Sequence, residues 1–113
     1  MRFDLNNPHL YIEPIYDDVL ITFKDERIVD EDHIATIENH IMKLISISPG
    51  TMVVLDFKKV RFMSSSFLGF LLKLHKTVTQ GQGRLRLRNM SKQIYEVFKL
   101  TNLHKVFKIE KNK

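Results

Sequence analysis

The chain has 113 residues, 43% of them hydrophobic, with 18 Lys plus Arg against 13 Asp plus Glu and no cysteine. That length supports one small core, the missing cysteine excludes disulfides and thiolate chemistry, and no apolar run approaches the roughly 18 residues of a membrane span. The net charge of +5 invites an acidic partner or a nucleic acid, and Met1-Arg2-Phe3-Asp4 does not begin a secretory signal, so a cytoplasmic location is expected.

His9 to Glu13 and Val19 to Phe23 flank Tyr16-Asp17-Asp18 as a β-hairpin would, with Pro14 breaking or ending the first strand. Asp30 to Asp32 then supply acidic capping for a helix on which Ile34, Ile37, Ile41, Leu44 and Ile45 recur at helical spacing, ending before Pro49-Gly50. Met52 to Leu55 is an unbroken apolar run that reads as a central strand covered on both faces. It ends in Asp56 and a basic loop holding Lys58, Lys59 and Arg61.

Three serines follow, and they open an apolar helix. Phe67, Leu68, Phe70, Leu71, Leu72, Leu74 and Val78 are too dense for one stripe, so this helix should be mostly buried, with Lys73, Lys76 and Thr77 facing water. One of Ser64, Ser65 and Ser66 can cap the first orphan N–H groups. A hydroxyl left over at that place suits a phosphate, because free N–H groups and the positive end of the helix dipole stabilise its charge. Capping alone is the commoner role of such serines.

Gln80 to Gly83 is a turn, and Arg84 to Arg88 alternates charge with Leu as a half-buried strand does. Ser91 caps a helix carrying Ile94, Val97 and Phe98, and Asn102 takes the left-handed position that ends it. Val106 to Ile109 makes a last short strand before a Lys-rich tail. The order strand, strand, helix, strand, helix, strand, helix gives an α/β domain with a mixed sheet of four to five strands and helices packed on it. One domain should span residues 1–113, with 1–7 and 110–113 frayed.

No catalytic site emerges. His9, His33, His40, His75 and His104 include no His-x-x-x-His pair, so neither a metal nor another cofactor is expected. Ser-Ser-Phe-Leu-Gly is not a nucleophile elbow, and Gly81-x-Gly83 lacks the rest of a phosphate loop. Arg84, Arg86 and Arg88 project from one strand face, but no nucleic-acid-binding motif accompanies them, and a charge row is usually a solvated face. Direct nucleic-acid binding and membrane insertion are therefore not expected.

From Val53 to Ile109 the chain resembles the STAS domain family, best known from bacterial anti-sigma factor antagonists. The residues that carry this are Leu55-Asp56-Phe57, Phe62-Met63-Ser64-Ser65-Ser66-Phe67-Leu68-Gly69, Leu87-Arg88-Asn89-Met90-Ser91 and Val97 to Leu103, in the family's order and spacing. Ser64 stands where the family usually has Asp, and Phe67 where it usually has Gly. The resemblance implies a non-enzymatic module whose partner is an anti-sigma factor with serine kinase activity, which phosphorylates Ser65. It also implies a partner-binding face built from Glu31 (or Asp30), Asp56, Ser64, Ser66 and Phe67, and leaves a homodimer open. Two other roles fit the same family: an accessory subunit of a membrane lipid-transport ATPase, and a ligand- or nucleotide-sensing module.

Overall fold

The structure, a computed structural model, describes residues 8–110. Strands β1 (Leu10–Ile15) and β2 (Asp18–Phe23) form an antiparallel hairpin whose turn is Tyr16-Asp17, with Tyr16 at φ 55°. Pro14 does not end β1 but pairs opposite Val19 inside it. β1 lies at the edge of the sheet, and an edge strand has one side where a missing N–H costs nothing.

Strand β3 (Arg27–Ile28) leads into helix α1 (Glu31–Ile47). The Asp30 carboxylate accepts from the amides of Asp32 and His33, at 2.9 and 3.1 Å, and so caps α1 as the acidic run predicts. Strand β4 (Met52–Asp56) is followed by β5 (Phe62–Met63) and helix α2 (Ser65–Gln80). Strand β6 (Arg84–Arg88), helix α3 (Lys92–Leu100), a short 3₁₀ turn and strand β7 (Lys108–Ile109) complete the described residues. Ser91 caps α3 through the Ile94 amide at 3.1 Å, and Asn102 sits at φ 61°.

The main sheet runs β1-β2-β4-β6-β7, with every pair after the hairpin parallel. Each parallel crossover steps the same way across the sheet, and with a single crossover handedness this places the connecting helices on one face. Burial follows that rule. Ile12, Ile21, Val53, Leu55, Leu85 and Leu87 share one face and join Ile34, Ile37, Ile41, Phe67, Leu71 and Leu74 in a common core. The opposite face carries Tyr11, Glu13, Val54, Arg86 and Arg88, so β4 is covered fully on one face and only partly on the other.

Helix α2 is less buried than its composition suggests. Phe67, Phe70, Leu71, Leu74 and Val78 form one buried stripe, while Leu72 is 39% exposed and Leu68 half-buried. The extra leucines do not face the core, because the sheet covers only one side of the helix.

Glu110, expected to fray, is anchored. Its amide donates to the Leu87 carbonyl at 2.8 Å, and its carboxylate meets Arg86 at 3.6 Å. The other residues expected to fray, 1–7 and 111–113, lie outside the described residues.

Gly83 is fixed by a close approach. A Cβ there would lie 2.6 Å from the Thr51 carbonyl oxygen and 3.1 Å from Val78 Cγ1. Gly83→Ala is therefore expected to cost roughly 1–2 kcal/mol, since the start of β6 must move away from backbone. Urea unfolding at equilibrium checks this, and an unchanged midpoint would refute the close approach.

Candidate functional site

The serine turn is held by a feature absent from the sequence-based expectation. β3 and β5 pair in parallel as a separate two-stranded ladder, Arg27 opposite Phe62 and Ile28 opposite Met63. The ladder is extended by the Arg61 and Phe62 amides on the Glu26 carbonyl, at 2.8 and 3.1 Å, and by the Ser64 amide on the Ile28 carbonyl at 3.0 Å. Each strand runs directly into a helix, so the N-termini of α1 and α2 emerge side by side.

Among the three serines the roles divide cleanly. Ser64 is the N-cap, its hydroxyl accepting from the Phe67 amide at 3.3 Å. Ser66 donates to Glu31 Oε1 at 2.7 Å, which ties the first turn of α2 to the first residue of α1. Ser65 is exposed, and among the described residues no hydrogen bond engages its hydroxyl. It is the first residue of α2, where the backbone amides of Ser65 and Ser66 lack intrahelical partners. Glu31 thus lies beside the serines, and its bond is to Ser66.

Two residues expected on the partner face are not on it. Phe67 is fully buried, its ring 5.4 Å edge-to-face from Phe23 and 5.9 Å from Phe70. At the third position of α2 its side chain points along the stripe that includes Phe70, Leu71 and Leu74, and hence into the core. Asp56 is only 2% exposed. Its carboxylate accepts from the Lys58 amide at 2.9 Å and from Asn89 Nδ2 at 3.1 Å to both oxygens, and Arg88 Nε approaches at 3.4 Å. Asn89 reaches it from a left-handed backbone, φ 58°. Asp56 is an internal brace between the ends of β4 and β6, with no oxygen left for a partner.

The exposed apolar groups near Ser65 are others. Phe62 is 43% exposed, with the Arg27 guanidinium 5.0 Å from its ring centroid, and Val29 is 40% exposed just beyond the ladder. Leu68, Gly69 and Leu72 follow Ser65 at helical spacing on α2, and nothing lies within 4 Å of where a Gly69 Cβ would be. The alternation of a two-residue strand is too short to read from sequence, so the exposure of Phe62 shows only in the structure.

The basic row is partly committed inside the molecule, Arg86 to Glu110 and Arg88 to Asp56. A groove of about 1050 Å³ lies at the opposite end of the sheet, among Ile12, Val19, Met42, Ile45, Pro49 and Val78, away from the serines.

Solved structures with this fold include an anti-sigma-factor antagonist (STAS) domain protein from Planctomyces limnophilus, 21% identical with a TM-score of 0.79, covering 92% of this chain and 90% of that one. An anti-sigma factor antagonist from Mycobacterium paratuberculosis is 19% identical, with a TM-score of 0.77 and coverage of 96% and 92%. The Bacillus cell fate determinant SpoIIAA in its phosphorylated form is 22% identical, with a TM-score of 0.70 and coverage of 91% and 92%. The STAS domain profile matches residues 14–113, nearly the whole chain, and the protein belongs to the STAS domain family.

Proposed function

We propose that the protein is an anti-sigma factor antagonist that docks its anti-sigma factor through the face around Ser65, and that phosphorylation of Ser65 by that factor's serine kinase activity releases it. The observation that carries this reading is the exposed Ser65 hydroxyl at the start of α2, unbonded among the described residues and flanked by Glu31, by exposed Phe62 and Leu72 and by half-buried Leu68. Apolar surface of this kind supplies docking area. The family and the anti-sigma factor antagonists among its structural neighbours support the same role.

A phosphate on Ser65 adds about −1.5 to −2 charges. The free amides of α2 stabilise it within the molecule. Toward a partner it acts the other way, because the docking face must now desolvate a dianion lying next to the Glu31 carboxylate. Binding is lost while the domain stays folded.

The test is incubation with ATP and an anti-sigma factor of the serine kinase class, followed by mass spectrometry and a binding titration. Phosphate is expected on Ser65. Ser65→Ala should bind whether or not ATP is present, and Ser65→Asp should bind at least about tenfold more weakly, a loss of roughly 1.4 kcal/mol. Ser66→Ala should still be phosphorylated. Phosphate confined to Ser64 or Ser66 would overturn the assignment of Ser65, and no phosphate on any serine would favour the permanent interface of a transport-ATPase subunit.

A further inference from the structure

His9, Asp25 and His33 come from three separate parts of the chain and meet at one point. His9 lies just before β1, Asp25 follows β2, and His33 is in the first turn of α1. His9 Nδ1 and His33 Nε2 each lie 2.9 Å from the same oxygen, Asp25 Oδ2, and the two imidazole rings are 3.9 Å apart between centroids. The three side chains are 28%, 34% and 13% exposed in chain order, so the cluster is half-sheltered and open on one side.

Ordinary hydrogen bonding does not account for all of it. His9 Nδ1 makes a hydrogen bond to the carboxylate. His33 Nε2 is buried and makes none, although the oxygen is 2.9 Å away, because that oxygen lies off the direction in which the ring nitrogen donates. A buried ring nitrogen that makes no hydrogen bond carries a desolvation cost that its off-axis ion pair offsets only in part and that a ligand would remove.

We propose that His9, Asp25 and His33 form a binding site for a zinc-class divalent transition metal ion, with a fourth position open to solvent. The three donor atoms lie within 4.8 Å of one another. A tetrahedral zinc with bonds of about 2.1 Å holds its ligand atoms about 3.4 Å apart, so the 2.9 Å contacts need open by only about half an ångström. Two imidazoles with one carboxylate select zinc, nickel or copper over magnesium and calcium, which demand oxygen ligands. The sequence concealed the site because its ligands are 16 and 8 residues apart on three different segments, at no recognisable motif spacing. Bound metal would clamp the start of the edge strand to the first turn of α1, two residues from Glu31.

The test is titration of the tag-free full chain with zinc chloride by calorimetry and thermal melting, with magnesium chloride as the control. One equivalent of zinc should bind and raise the melting temperature, and magnesium should do neither. His9→Gln, Asp25→Asn and His33→Gln should each weaken zinc binding by at least about tenfold, the loss that even outer-shell partners cause. His40→Gln should leave it unchanged. Paramagnetic copper(II) added to the unmutated protein gives an answer that does not depend on the variants folding, since it should broaden the ring signals of His9 and His33 first. No zinc binding up to about 1 mM, or first broadening at His40, His75 or His104, would overturn the proposal and leave the cluster a structural clasp.

Discussion

Phe67→Ala is expected to destabilise the protein by about 3–5 kcal/mol, the range for truncating a buried aromatic ring. The ring is completely buried and packs against Phe23 and Phe70, and Phe23 in turn lies 5.2 Å from Phe57. Removing it opens a cavity where the core from β2, the loop after β4 and the start of α2 converge. Domains of this size are typically stable by only about 5–15 kcal/mol, so the variant should be partly unfolded at modest urea concentrations. Equilibrium urea unfolding measures the loss. A change under about 1 kcal/mol, together with weakened partner binding, would restore Phe67 to the surface.

Asp56→Ala should cost about 2–3 kcal/mol, the scale of losing hydrogen bonds to a buried charged group. The substitution leaves the Asn89 amide and the Lys58 N–H without their acceptor and frees Arg88, whose side chain is 38% exposed and can turn to water. Asp56→Asn retains an acceptor oxygen in the same volume and should lose less. If Asp56 were instead a partner contact, both variants would melt like the parent and bind more weakly. Comparing melting temperature with partner affinity for the pair separates the two roles.

The architecture was legible in the sequence because long-range order here rests on long, strongly patterned elements. Four isoleucines at helical spacing announced α1, and the run from Val53 to Leu55 announced β4. Caps were readable too, since Asp30 and Ser91 act through bonds to their own neighbours in the chain and Asn102 through its own left-handed backbone. What escaped were features that depend on partners distant in sequence. β3 and β5 are two residues each, and neither has a reason to be a strand until the other lies beside it. Phe67 follows the serines directly, and linear adjacency put it on their surface; the 100° step per residue along the helix turns it inward. Asp56 ends a strand where ligand sites often gather in open α/β sheets, but in this sheet the strand order never reverses, so Asp56 marks no switch point of that kind.

The β3–β5 ladder pairs residues 35 apart in sequence, Arg27 with Phe62, through only two register positions. Closing so long a loop for so few contacts is unfavourable on its own, and it becomes affordable only after β2 and β4 have already drawn the two segments together. The β3–β5 ladder beside Ser65 is thus expected to form after β2 and β4 have paired and to open before they separate. A partner that docked on this face, as proposed, would therefore favour chains whose β2–β4 pairing is complete over partly folded ones.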